Sequence, residues 1–155
     1  MLIRADTGLH EQIAQTLAKK VERAASVLDM GAGQGVLSVR LYDLGYKVTA
    51  VDVNDEDYLI QKRDIQFKQV NFDDEHELEQ FIAGHESQFD VVCGVEVIEH
   101  VENPWNYVRG LAIGETRRPC FDYNTKYCIL VVLIAFFEKW NISVFPRAKF
   151  FIRPH

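Results

Sequence analysis

Residues 26–45 read SVLDMGAGQGVLSVRLYDLG, and this stretch decides the fold class. Its first residues form a short apolar run that predicts a buried strand, and a glycine-rich loop follows. Val36 to Leu44 then has the spacing of a helix that ends at Gly45. The order of strand, glycine loop and helix is typical of an α/β protein.

The same alternation continues on both sides of this stretch. Strands are predicted at 46–53, 65–70 and 89–95, and helices at 9–21, 74–83 and 103–112. Asp6 and Thr7 are expected to cap the first helix, and Asn103 with Pro104 the last. Because the strands are apolar through their middles, we expect one α/β domain over residues 1–155 with a doubly wound, mostly parallel sheet. Ligands then bind at the carboxyl ends of the strands.

Composition excludes several classes of function. Hydrophobic residues make up 48% and charged residues 26% of the 155, which is typical of a folded, soluble domain. The net charge of -6 gives no overall basic field, so nucleic acid is not an expected partner. The three cysteines form no C-x-x-C pair, which argues against disulfide or zinc-thiolate scaffolds and favours a cytoplasmic protein. Tyr127 to Phe137, the longest apolar run, is shorter than the roughly 20 residues of a membrane span, and the charged N-terminus does not read as a signal peptide.

The spacing of the glycine loop distinguishes between cofactors. A dinucleotide fingerprint G-x-G-x-x-G would need glycine where Val36 stands. The chain has instead Asp29-x-Gly-x-Gly-x-Gly, with glycines at Gly31, Gly33 and Gly35. Glycines here allow a sharp turn and let a ligand lie against the main chain. The alternative is that they serve only the turn.

Polar residues also end the next two predicted strands. Asp52 can accept two hydrogen bonds from a ribose diol, which suits adenosine with a free 2′-hydroxyl; the alternative is a solvated loop acid. Asn71 and Asp73 could contact an adenine edge, and Phe72 offers apolar surface. Taken singly, Phe72 would be a core residue and Asp73 a helix cap.

Four segments together carry a family resemblance. In this order and spacing, VLDMGAGQG, VTAVDV, QVNFDD and FDVVCGVEVIEHVENPW resemble motifs I to IV of the class I S-adenosylmethionine-dependent methyltransferases. The resemblance covers residues 8–112 and implies a Rossmann-like fold with S-adenosylmethionine as cofactor. It places the methionyl part on the glycine loop, the ribose at the second strand and the adenine after the third, where the family usually has Asp in place of Asn71. The implied cofactor set is Asp29, Gly31, Gly33, Gly35, Asp52, Asn71, Phe72 and Val95.

Glu96, Glu99 and His100 stand at i, i+3 and i+4, so on a helical turn they would share one face. They resemble the E-x-x-E-H motif of ubiquinone-pathway O-methyltransferases and small-RNA 3′-end 2′-O-methyltransferases, which implies catalytic residues that can hold a divalent metal beside the acceptor hydroxyl. Two carboxylates and one imidazole suit Mg²⁺ or Mn²⁺. Alternatively His100 is a general base, or the three residues only cap and solvate the next helix. The other histidines show no ligand spacing and are expected at the surface: His10, His76, His85 and His155.

The chain departs from the family pattern after Ile113. The family continues with a Pro-Gly-Gly turn and an apolar fifth strand, whereas residues 113–155 contain no Pro-Gly-Gly. Tyr127 to Phe137 could supply the fifth strand, and Ile142 to Phe145 is a further β-like stretch. Our hypothesis is a divergent tail that arose by truncation or a shifted reading frame. It would leave the sheet incomplete, with an open edge prone to self-association.

Together these features favour an S-adenosylmethionine-dependent methyltransferase that acts on an oxygen of a small-molecule acceptor. Two alternatives stay open: a truncated, non-catalytic remnant that binds the cofactor or a partner, and an RNA 2′-O-methyltransferase. The acidic balance disfavours the RNA enzyme. A nicotinamide dehydrogenase is disfavoured because Val36 breaks the dinucleotide fingerprint.

Overall fold

A computed structural model describes residues 8–55, 64–86, 88–111, 129–133 and 150–152. The helices are α1 (Leu9–Lys20), α2 (Val36–Asp43), α3 (Glu75–His85) and α4 (Pro104–Leu111). The strands are β1 (Ser26–Met30), β2 (Lys47–Asp52), β3 (Gln66–Gln69), β4 (Val91–Val95), β5 (Ile129–Leu133) and β6 (Phe150–Ile152). Within the described ranges, no helix has the length and apolar character needed to cross a membrane.

The six strands form one sheet in the order β3-β2-β1-β4-β5-β6. All neighbours pair in parallel except β6, which runs antiparallel to β5. Val27 of β1 lies opposite Val48 on one side and Val91 on the other, which places β1 at the centre of the order. The predicted α/β, Rossmann-like and mostly parallel sheet is confirmed.

The C-terminal segment contributes two strands to this sheet. β5 lies inside the apolar run at 127–137, where the sequence analysis placed a possible fifth strand. The β-like stretch at 142–145 falls outside the described residues, and the sequence did not predict β6. The origin of the tail by truncation or a shifted frame stays a hypothesis.

Helices cover both faces of the sheet, and the central strands β1 and β4 are buried almost throughout. Successive strand residues point to opposite faces, and accordingly Val27 joins one apolar cluster and Leu28 the other. The first cluster packs α1 and α2 against the sheet and includes Ile13, Leu17, Val27, Leu37, Leu41 and Val48. The second packs α3 and α4 and includes Leu28, Met30, Leu78, Phe81, Val92, Tyr107 and Leu111. This arrangement leaves the carboxyl ends of the strands as the open side of the fold.

Two helix caps differ from the sequence-based expectation. The N-cap of α1 is Gly8, with φ 90° and no side-chain cap bond, whereas Asp6 and Thr7 lie outside the described residues. The cap of α3 is Asp74, whose carboxylate accepts a hydrogen bond from the Glu77 N–H. The predicted Asn103 cap of α4 is confirmed, since its Oδ1 lies 3.2 Å from the N–H nitrogen of residue 106.

Candidate functional site

A cleft of about 360 Å³ lies at the carboxyl ends of the central strands. Six members of the implied cofactor set line it: Gly31, Gly33, Asp52, Asn71, Phe72 and Val95. The three residues predicted near the acceptor line it as well: Glu96, Glu99 and His100. The parallel topology therefore brings together residues from four separate stretches of the chain.

The glycine loop connects β1 to α2 and forms the floor of the cleft. All three of its glycines have positive φ, a conformation that other residues adopt with strain. Gly31 and Ala32 donate their N–H groups to the carbonyl of Val51, at 2.7 and 3.0 Å, which fastens the loop to β2. A Cβ at Gly31 would collide with the Val97 side chain, whereas a Cβ at Gly33 would meet no atom within 4 Å. The loop thus exposes bare backbone to the cleft at Gly33.

Asp52, the last residue of β2, is bonded to the same loop. Its Oδ2 accepts from the Gly33 N–H at 2.7 Å, and its Oδ1 accepts from the Asn54 N–H at 3.3 Å. An ionised carboxylate has about four acceptor sites, so these two bonds leave capacity for a pair of ligand hydroxyls. The side chain is only partly buried and lines the cleft.

Asp29 and Gly35 are not among the residues that line the cleft, and their place in the cofactor set stays a prediction. Asp29 is 2% exposed and lies beneath the loop, where its Oδ2 accepts a 2.7 Å hydrogen bond from the Ser38 hydroxyl of α2. The reason is the strand pleat, which directs this side chain toward the helix layer instead of the strand end. Burial raises the pKa of Asp29 to about 6; the Ser38 bond opposes the rise and the charge of Asp52 adds to it. Gly35 is buried as the N-cap of α2, with φ 80°.

The segment after β4 is a turn and not the expected helical turn. Glu96 has φ 53°, a left-handed conformation that costs a non-glycine residue about 1–2 kcal/mol, and it ends the strand abruptly. A turn follows in which the His100 N–H donates to the Val97 carbonyl at 2.8 Å. Glu99 and His100 are exposed at the mouth of the cleft, and Glu96 is partly buried.

The prediction of a divalent metal at Glu96, Glu99 and His100 receives no support from this arrangement. In the part of the chain that the structure describes, no three His, Cys, Asp or Glu side chains are grouped so that they could hold a metal ion. The left-handed Glu96 explains why helical spacing does not apply to these three residues. The residues present therefore do not fit Mg²⁺.

Asp73 joins the two rims of the cleft, a role that the sequence did not indicate. Its Oδ1 accepts from the N–H groups of Glu102 and Asn103, at 2.7 and 3.1 Å. The Asp73 N–H in turn donates to Asn71 Oδ1 at 3.0 Å. The loop after β3 is thereby fastened to the loop between β4 and α4. No local sequence signal could have shown this, because the partners are about thirty positions apart.

Phe72 packs in the core and also lines the cleft. It is 5% exposed, and its ring meets that of Tyr107 edge-on, with centroids 5.3 Å apart. The Tyr107 hydroxyl donates to the carbonyl of Met30 at 2.8 Å, immediately before the glycine loop. A Cβ at Gly94 would collide with this hydroxyl, so glycine is required there. Helix α4 thus supports both the cleft wall at Phe72 and the start of the glycine loop.

His10 lines the cleft, and its expected surface location is wrong. It is partly buried, and burial together with the nearby Arg40 charge lowers its pKa. The signal was present in the sequence: His10 lies three and four positions before Ile13 and Ala14, on the buried face of α1.

Comparison with known proteins is consistent with this geometry. A family model described as a methyltransferase domain matches residues 4–112. The ubiquinone biosynthesis O-methyltransferase of Citrobacter koseri is 34% identical over 138 residues, 83% of this chain and 56% of that protein. The protein of the same name from Pseudoalteromonas translucida is 33% identical over 96 residues, 61% of this chain and 40% of that protein. The chain therefore spans about half the length of these curated relatives.

Solved structures share the fold at low sequence identity. That of Burkholderia thailandensis 1,6-didemethyltoxoflavin-N1-methyltransferase, with bound 1,6-didemethyltoxoflavin and S-adenosylhomocysteine, aligns with a TM-score of 0.57 and 19% identity. The alignment covers 82% of this chain and 53% of that one. This likeness concerns the fold alone.

Proposed function

This chain belongs to the class I S-adenosylmethionine-dependent methyltransferases, and we propose that it transfers a methyl group from S-adenosylmethionine to an oxygen atom of a small molecule. The observation that carries the proposal is the hydrogen bond between the Asp52 carboxylate and the Gly33 N–H in the floor of the cleft. Asp52 is of a residue type that can recognise a ribose diol, and this bond attaches it to the glycine loop. At Gly33 no side chain covers the backbone of that loop.

The residues of the cleft fit the cofactor. The glycine loop would hold the methionyl part, Asp52 the ribose hydroxyls, and Asn71 with Phe72 the adenine. The fit is supported by the Gln34 side-chain oxygen, which is buried and has no hydrogen-bond partner among the described residues. When bound, the sulfonium supplies an activated methyl group, so the protein's work is alignment, exclusion of water and removal of a proton.

We assign the acceptor end of the cleft to the turn after β4. His100 is exposed at the cleft mouth, where its imidazole can take the proton that leaves an acceptor hydroxyl. Glu96 and Glu99 line the same cleft and can orient that hydroxyl by accepting hydrogen bonds. No step is assigned to a metal ion. The preference for oxygen is supported by the names of the O-methyltransferase relatives.

The first test is calorimetric titration of the purified protein with S-adenosylhomocysteine, with NAD as the control ligand. We expect saturable binding of S-adenosylhomocysteine alone. Asp52→Ala should weaken it by roughly 10-fold to 100-fold, because hydrogen bonds to a charged group are worth about 1.5–3 kcal/mol. Asp55→Ala is the matched control, since Asp55 is an exposed acid shortly after Asp52 that does not line the cleft. Equal affinity of Asp52→Ala and the wild type would contradict the ribose assignment.

The second test measures transfer of a labelled methyl group to small-molecule hydroxyl acceptors, with the corresponding amines in parallel. We expect methylation of hydroxyls, and its loss in His100→Ala with cofactor affinity retained. His76→Ala is the control, because His76 is exposed on α3 and does not line the cleft. Cofactor binding without transfer to any acceptor would contradict catalysis and favour a non-catalytic remnant.

A further inference from the structure

We propose that Gln34 and His10 recognise the two charged groups at the amino-acid end of the cofactor. Gln34 Oε1 accepts a hydrogen bond from the α-ammonium group, and the His10 ring donates one to the α-carboxylate. The inference rests on the proposed function. It names the side chains that bind the amino-acid end of the cofactor, which adenosine alone lacks.

The glycine loop has few backbone N–H groups left to donate to a ligand. The N–H groups of Gly31 and Ala32 bond to Val51, that of Gly33 to Asp52, and that of Gly35 to the Ala32 carbonyl. Four of the five loop N–H groups are therefore already engaged inside the protein. Only the Gln34 N–H is left for a carboxylate at this end of the cleft, so a donor from another element would strengthen its binding.

His10 of α1 is such a donor. It lines the same cleft as Gly33 and Gln34 but belongs to a different helix. Arg40, in the last turn of the helix that follows the glycine loop, is close enough for its charge to act on His10. Burial and the Arg40 charge lower the pKa of His10, so its ring is neutral at neutral pH and keeps one N–H donor. Arg40 is itself held in place by Glu11, with Nε to Oε2 at 3.1 Å, and its charge favours an anion nearby.

Gln34 supplies the complementary acceptor. Its Oε1 is buried and lacks a partner within the described part of the chain, although Gln34 lines the cleft. A buried acceptor without a partner is unfavourable, so a ligand donor there explains its placement. Gly33 and Gly35 on either side both have positive φ, which fixes the direction in which the loop presents residue 34.

The test measures the affinity of wild-type protein and two variants for three ligands. The ligands are S-adenosylhomocysteine, its analogue with hydrogen in place of the α-amino group, and its analogue with hydrogen in place of the α-carboxyl group. Gln34→Leu should bind S-adenosylhomocysteine roughly 10-fold to 100-fold more weakly and leave the affinity for the deaminated analogue unchanged. His10→Phe should weaken S-adenosylhomocysteine similarly and leave the affinity for the decarboxylated analogue unchanged.

Matched controls separate recognition from damage to the fold. Gln80→Leu and His76→Phe make the same changes at exposed positions of α3 and should alter no affinity. His10→Gln keeps an N–H donor and should restore most of the binding that His10→Phe loses. If Gln34→Leu does not fold, Gln34→Glu keeps an acceptor and must still prefer S-adenosylhomocysteine to the deaminated analogue.

The outcomes distinguish this inference from the proposed function. Equal losses for all three ligands, or no loss for S-adenosylhomocysteine, would overturn the inference while the wild-type protein still binds its cofactor. Failure of the wild-type protein to bind S-adenosylhomocysteine would overturn the proposed function and the inference with it.

Discussion

Replacing the buried Asp29 by asparagine should change how the stability of the protein depends on pH. The carboxyl group is 2% exposed, and its pKa of about 6 in the folded chain compares with an ordinary value of 3.8. This difference corresponds to about 3 kcal/mol between the charged and neutral forms. In Asp29→Asn the amide oxygen can still accept the hydrogen bond of the Ser38 hydroxyl, while the buried charge is removed.

The sign follows from proton linkage. Because burial raises the pKa of Asp29, the folded state holds this proton between about pH 4 and pH 6 and the unfolded state does not. Its contribution to stability is complete below the unfolded pKa and is lost as the pH rises through the folded pKa. Asp29→Asn has no such proton. The variant should therefore gain up to about 3 kcal/mol relative to the wild type as the pH rises from about 4 to 7.

Urea unfolding followed by circular dichroism, between about pH 4 and pH 8, measures this difference. Asp64→Asn is the control, because it makes the same change at an exposed position. A constant difference between Asp29→Asn and the wild type across this range would refute the argument, since it would mean that Asp29 does not titrate between these limits.

Three further predictions concern the walls of the cleft. Gly33→Ala meets no atom within 4 Å but places a methyl group at the cleft floor, so affinity for S-adenosylhomocysteine should fall, and the positive φ of this position should cost about 1–2 kcal/mol in urea unfolding; unchanged affinity would contradict this. Tyr107→Phe leaves the Met30 carbonyl without its buried donor and should cost about 1–3 kcal/mol in urea unfolding, and a loss near zero would mean that water replaces the hydroxyl. Asp73→Ala should speed amide hydrogen exchange at Glu102 and Asn103, whereas equal rates in variant and wild type would show that the carboxylate does not hold that loop.

The sequence predicted the location of the cleft because that location follows from topology. Once β1, β2, β3 and β4 are recognised as parallel, their carboxyl ends lie at one side, and Gly33, Asp52 and Phe72 come together there. Family motifs then indicated which ligand these residues suit. Both steps use local patterns that the printed sequence contains.

What the sequence missed depends on the direction of side chains and on contacts between distant residues. Asp29 belongs to the glycine motif, but the pleat of β1 points it into the core. Glu96 fits a helical spacing, yet its left-handed backbone starts a turn. Asp73 pairs with N–H groups about thirty positions away, which no local pattern encodes. His10 could have been found, since it shares a helical face with Ile13 and Ala14.

The internal bonds of the glycine loop have a kinetic consequence. Because its N–H groups already bond to Val51, Asp52 and Ala32, the loop has its shape before a ligand arrives. Little ordering entropy is then lost on association, and no rearrangement has to precede the complex. Stopped-flow mixing with S-adenosylhomocysteine should show a single phase whose rate grows linearly with ligand concentration. No slow rearrangement of the loop should limit the release of the ligand.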